Sequence, residues 1–130
     1  MKYLGIDWGE KRIGLAVAED GMDLVLPFKT VNSLGELLKA IREEIPDCLV
    51  LGCPHKMSGE AELNHDFSSF RKRLEEALVF LPEPPKLVSY DERLSSKAAD
   101  IRYGERAGKG DRDQLAAAVI LEDYIESLKN

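Results

Sequence analysis

Residues 2–18 read KYLGIDWGEKRIGLAVA, and this stretch decides the architecture. Lys2 to Asp7 and Arg12 to Ala18 are two apolar runs joined by Trp8-Gly9-Glu10-Lys11, a turn-sized connection with a glycine inside it. That pattern predicts a β-hairpin. A third strand is expected over Leu24 to Lys29, after the Asp20-Gly21 turn signal, and Pro27 assigns it to a sheet edge. Ser33 and Glu36 then form a capping-box pair, and Leu34, Leu37, Leu38, Ile41 and Ile45 recur at helical spacing until Pro46. A helix over residues 34–45 follows. The apolar run Cys48 to Gly52 predicts a fourth strand. Leu63, Phe67, Phe70, Leu74 and Leu78 mark a second helix, closed by Pro82, Pro84 and Pro85. Lys86 to Tyr90 reads as a short fifth strand, and Ser95 or Ser96 as the cap of a short helix to about Tyr103. Gly104 to Gly110, with three glycines and three charges, is expected to be a mobile loop. Asp111 with Gln114 then caps a last helix, whose apolar face comes from Leu115, Val119 and Leu121 to Leu128. Three meandering strands followed by two αβ units predict an α/β fold, with a five-stranded mixed sheet whose first three strands are antiparallel.

Composition narrows the class. The chain has 130 residues, 44% hydrophobic and 32% charged, a size that predicts one domain over 1–130 with a core needing no staples. The longest apolar run, Leu115 to Leu121, is far shorter than the roughly 20 residues of a membrane span. An acid at position 7 is incompatible with a secretory leader, so a cytoplasmic protein with no membrane partner is expected. Cys48 and Cys53 have an odd separation on one strand, so they face opposite sides about 16 Å apart and cannot pair or share a zinc with His55 and His65. Both read as core thiols.

The chemistry gathers at the strand ends. Asp7 closes the first strand, where an acid is out of place unless it faces a site. Glu92 follows the fifth strand, at the edge where α/β sheets bind ligands. Asp113 is expected in the first turn of the last helix, where the dipole favours a carboxylate. Three acids from distant segments are raw material for a site holding one or two divalent cations, the arrangement that hydrolyses phosphodiesters. Each acid also has a structural reading: a turn acceptor for Asp7, an ion pair with Arg93 or Arg12 for Glu92, a helix start for Asp113. The residues alone leave both open. His55 and His65 read as solvated, Arg71-Lys72-Arg73 as part of a mixed charged helix face, and Trp8 as packing over its turn.

The words around the acids are more specific. Gly5-Ile6-Asp7-Trp8-Gly9-Glu10-Lys11-Arg12-Ile13-Gly14-Leu15-Ala16 resembles the G-x-D-x-G-x-x-R-I-G-x-A opening of the YqgF/RuvX family. Asp91-Glu92-Arg93-Leu94-Ser95-Ser96 resembles its D-E-R-L-T-T box. Lys109 to Leu121 is similar to its closing K-x-x-x-D-x-x-A-A-x-x-I-L segment. In the middle motif, G-L-P-x-N-M-x-G, Lys56 stands in place of Asn, which bears on substrate contacts by that loop. The resemblance implies an RNase H-like fold and a metal-dependent nuclease using Mg2+ or Mn2+, two ions in all, with Asp7, Glu92 and Asp113 as catalytic and metal-ligating acids. It implies phosphate or structural roles for Arg12 and Arg93, and Lys56, Arg106 and Lys109 are further cations placed to meet a phosphate backbone. The expected substrate is RNA, the 5′ end of pre-16S rRNA, with ribosomal particles as partners and a monomer or weak homodimer as the working state. A Holliday junction resolvase acting on branched DNA uses the same chemistry. A non-catalytic nucleic-acid-binding module for transcription or ribosome assembly is the reading from a different class. A two-lobed sugar kinase is excluded by length.

A net charge of −6 at first opposes a nucleic-acid partner. The charge is segregated, however: Lys86 to Arg112 carries seven basic residues against five acidic ones, while the segment from Asp113 onward is acidic. Metal-dependent, site-focused binding with a shallow salt dependence is expected.

Overall fold

A computed structural model describes residues 1–19, 24–53, 65–91 and 109–129, the side chains of 109–111 excepted. The strands are β1 (Lys2–Trp8), β2 (Ile13–Glu19), β3 (Leu26–Val31), β4 (Cys48–Cys53) and β5 (Lys86–Asp91). The helices are α1 (Leu34–Glu44), α2 (His65–Leu78) and α3 (Lys109–Ser127). One five-stranded sheet has the order β3-β2-β1-β4-β5. Its first three strands are antiparallel, and β4 and β5 run parallel to β1, as the hairpin-then-crossover pattern requires.

β-Alternation sorts the core into two halves. Leu4, Ile6 and Trp8 of β1, with Ile13, Leu15, Leu49, Leu51 and Cys53, pack against α1 and α2. Tyr3, Ala16, Ala18, Cys48 and Val50 face the other way, against Ala117, Ile120 and Leu121 of α3. Cys48 and Cys53 are therefore buried on opposite faces and form no disulfide with each other. Trp8 is buried edge-on against Phe67, centroids 5.6 Å apart, with Phe70 beside it, which removes its ring from any base-stacking role.

Boundaries differ from the sequence reading in two informative places. β3 starts at Leu26 instead of Leu24 and runs on to Val31, and its pairing with β2 passes through a register shift beside Pro27. Edge position leaves the missing N–H of Pro27 harmless. Helix α3 begins at Lys109, so Lys109 and Gly110 belong to its first turn and not to a loop, and Asp111 is inside the helix. First-turn residues have N–H groups without intrahelical partners, so a glycine there costs less than in mid-helix. Of the expected apolar face of α3, Leu121 is buried and Val119 and Ile125 pack against the core, whereas Leu115 and Leu128 are exposed; Ala116, Ala117, Ala118 and Ile120 supply the rest of the buried face. Small side chains win because the sheet presents Gly5, Gly14 and Ala16 there, and large ones would hold the helix off. His65 is exposed, and Arg71 pairs with Glu75 one turn on at 2.9 Å, a solvated charged face. The short helix expected to end near Tyr103 lies outside the described residues.

In α1, Ser33 Oγ accepts from the Glu36 N–H at 3.2 Å, and the Glu36 carboxylate accepts from the N–H of Asn32 in place of Ser33. The helix ends on Ile45 in the left-handed conformation, φ 48°, its N–H donating to Ile41 O. Among the described residues no helix is long and apolar enough to cross a membrane.

Burial sets an alkaline limit on stability. Desolvation pushes the Cys48 thiol above its ordinary pKa, partly offset by Lys86, and burial likewise raises the phenols of Tyr90 and Tyr124 on the same face. An unfolded chain sheds these protons first, so the native state holds more of them at high pH and stability falls as pH rises. The contribution is complete below the ordinary thiol and phenol values. Urea unfolding between about pH 8.5 and 10.5 is expected to show this decline, and Cys48→Ala to make it shallower. An unchanged slope in the variant would remove Cys48 from the account.

Candidate active site

One lateral row across the sheet builds the site. Asp7 pairs with Gly14 on β2 and Gly52 on β4, and Gly52 pairs with Tyr90 on β5. An acid thus sits between two glycines, one residue from the end of the first strand. Among the described residues, Asp7 is the only buried polar or charged side chain, at 2% exposure. Removing a carboxylate from water costs several kcal/mol unless polar groups or a cation compensate, so its presence at a strand end is a functional signal.

Gly14 seats the second acid. A Cβ at position 14 would lie 2.0 Å from the Asp113 carbonyl oxygen and 2.8 Å from the Asp113 Cβ. Only a residue without a side chain admits this contact. Asp113 therefore rests on the strand neighbouring Asp7, on the face to which Asp7 points, with one strand spacing of about 4.8 Å between the two rows. It is the fifth residue of α3, past the first turn, so packing on Gly14 and not the helix dipole positions it. Gln114 Nε2 donates to Thr30 Oγ1 at 3.2 Å, tying this part of α3 to β3.

Arg12, at the base of the hairpin turn, donates from Nε to Asp113 Oδ2 at 2.8 Å. Both side chains are partly exposed, 34% and 19%. The guanidinium restrains the carboxylate, and its fork of five donors has capacity beyond this one bond, chemistry that suits a phosphate. Beside the row, burial and the carboxylates of Asp123 and Asp91 push the Tyr90 phenol up, which keeps its hydroxyl protonated.

Two of the three sequence-selected acids, Asp7 and Asp113, are thus brought together from opposite ends of the chain. Glu92, Arg93, Lys56, Arg106 and His55 lie outside the described residues, and Lys109 is placed only by its backbone, as the first residue of α3. Among the described residues no three His, Cys, Asp or Glu side chains gather as a ligand set. Asp91, the chain neighbour of Glu92, closes β5 level with Cys53. Gly14 and Gly52 were missed as site residues, although a glycine inside an apolar strand is a sign of close approach.

The family model described as "RuvX: Holliday junction resolvase" matches residues 1–127. A Maridesulfovibrio salexigens protein is 36% identical, the match covering 96% of this chain and 98% of that protein. A Chlamydia pneumoniae protein is 34% identical over 97% and 90%, and one from Shewanella oneidensis 32% over 95% and 93%. All three carry the description "Putative pre-16S rRNA nuclease". Among solved structures, Thermus thermophilus RuvC superposes with a TM-score of 0.66 at 16% identity, covering 99% of this chain and 96% of that one. The yeast mitochondrial Holliday junction resolvase Ydc2 gives 0.64 at 15%, covering 95% and 77%. At such identities the likeness establishes the fold. With the family match spanning almost the whole chain and the sheet order in agreement, the chain belongs to the RuvX (YqgF) family of RNase H-like nucleases.

Proposed function

We propose that the chain is a divalent-metal-dependent nuclease that trims the 5′ end of pre-16S rRNA, with Asp7, Glu92 and Asp113 as the acids of its centre. The observation that carries this reading is the buried carboxylate of Asp7 beside the Gly14 seat of Asp113. The donor set fits the ion: carboxylate oxygens suit Mg2+ or Mn2+, and the glycines flanking Asp7 leave no side chain to compete. When bound, two such ions supply activation of water and stabilisation of the leaving oxygen. Asp7, held rigidly in the sheet, contributes fixed negative charge at the strand end. Asp113 contributes a carboxylate whose orientation Arg12 sets, and Arg12 itself meets the scissile phosphate. Glu92, one residue beyond the end of β5, completes the acidic set. Arg93, Lys56, Arg106 and Lys109 are the further cations this reading assigns to the phosphate backbone. Residues 1–130 act as one RNase H-like domain in the cytoplasm.

The description shared by relatives more than 30% identical favours precursor rRNA as substrate. The description of the matching family model favours a four-way DNA junction as the second reading. Incubating the purified protein with a 5′-extended 16S precursor and with a four-way junction, in Mg2+, Mn2+ or EDTA, separates them. Cleavage of the RNA alone, lost in EDTA, is the expected result. Cleavage of the junction alone reassigns the substrate and keeps the chemistry. Binding without cleavage of either, in every metal, turns the protein into the non-catalytic module and removes the nuclease proposal.

A further inference from the structure

At the pole of the sheet opposite Asp7, an apolar surface remains that no catalytic role accounts for. It lies where β4 and β5 begin, five strand steps or about 16 Å from the ends that carry Cys53 and Asp91. Phe80 is 89% exposed, and Val79 and Ile45 are 71% and 67% exposed. Beside Phe80 in the chain, Leu81 and Pro82 join Ile41 and Ile45 around a recess of 390 Å³. The recess is preformed. Pro46 and Pro85 in its lining are buried, and the backbone behind them is pinned to β1 and β5 by Asp47 N–H to Lys2 O at 2.8 Å and Lys86 N–H to Asp47 O at 2.9 Å. Ile45 adds a second sign of use. It is a β-branched residue at φ 48°, where glycine or asparagine is the usual helix terminator, and its side chain is displayed to water. Both choices are unfavourable for an isolated chain.

We propose that this surface is a two-fold interface between two copies of the chain. The patch carries a protruding ring and a hollow side by side, together with one charge of each sign on the rim, Arg42 and Glu83, neither of which forms an ion pair among the described residues. A surface holding both halves of each complementary pair matches itself under a two-fold rotation: Phe80 of each copy enters the other's recess, and each Arg42 meets the other's Glu83. A groove for a foreign peptide needs the hollow alone. Such a dimer leaves both Asp7 ends of the sheet facing outward, and it does not depend on the nuclease reading.

Sedimentation velocity from about 1 to 200 µM tests it. The wild type is expected to show a reversible monomer–dimer equilibrium. Phe80→Asp removes an aromatic anchor and is expected to weaken the dimer by about 30-fold. Glu83→Arg sets like charges face to face and weakens it about tenfold, and the exchange Arg42→Glu with Glu83→Arg restores it to within a few-fold. Restoration by the exchange is the result a general surface effect does not produce. A wild type that stays monomeric throughout, or a dimer indifferent to both single substitutions, overturns the proposal. All these positions are exposed, so melting curves that are unchanged at concentrations where the wild type is monomeric verify that folding is intact.

Discussion

Asp7→Asn is expected to abolish cleavage of the precursor RNA while leaving the melting temperature within a few degrees of the wild type. The amide keeps the size and shape of the carboxylate, so the sheet around it repacks little. It removes the negative charge that a divalent cation needs, and a cation's stabilisation of a developing phosphoryl charge amounts to several kcal/mol, which corresponds to a rate loss of about 10³-fold or more. The side chain is buried at the end of β1. Single-turnover cleavage measures the loss directly, and circular dichroism verifies the fold. Retention of more than about a tenth of the activity would place the chemistry elsewhere on the molecule.

Gly14→Ala acts on the fold and the site at once. The added methyl would sit 2.0 Å from the Asp113 carbonyl oxygen and 2.2 Å from its carbon, both backbone atoms of a helix. Helix α3 cannot yield locally, because Ala117 and Leu121 already approach Gly5 so closely that a Cβ there would lie 2.9 Å from Leu121 Cβ. The whole helix must lift by about 1 Å or more, which costs about 3 kcal/mol or more and lowers the melting temperature by about 10 °C. Asp113 moves with the helix, away from Asp7, and a displacement of about 1 Å at a catalytic group costs about a hundredfold in rate. Activity measured well below the melting point is therefore expected to fall further than instability explains. Gly35→Ala serves as the control: its Cβ meets only Ser33 Oγ, at 3.8 Å, in the first turn of α1, and stability there is expected to hold or rise slightly. Equal behaviour of the two variants would mean that α3 is not seated on Gly14.

Much of this was legible in local pattern. Ser33 and Pro46 bound α1 because a cap and a breaker act on their nearest neighbours alone. The strand period placed Cys48 and Cys53 on opposite faces for the same reason. Asp7 stood out because a lone acid closing an apolar strand violates the rule that buried side chains are apolar. In the last helix the same rules held only in part. Leu121 is buried as its spacing suggests, yet Leu115 and Leu128 are exposed and three alanines are buried, since the choice belongs to the sheet surface and not to the helix. A partner's shape is not written in a segment's own periodicity.

The sequence by itself determined the strand and helix order, the antiparallel start, the family, and the identity of Asp7 and Asp113 as acids in telling places. Those properties depend on side-chain chemistry within a few residues or on whole motifs. Only the tertiary structure decided that Asp113 is positioned by contact with Gly14, that Arg12 is paired to it at 2.8 Å, and that Trp8 turns away from the site into the α2 face. Each is a contact between segments far apart in the chain, and the packing of α3 across small residues of the sheet brings them together.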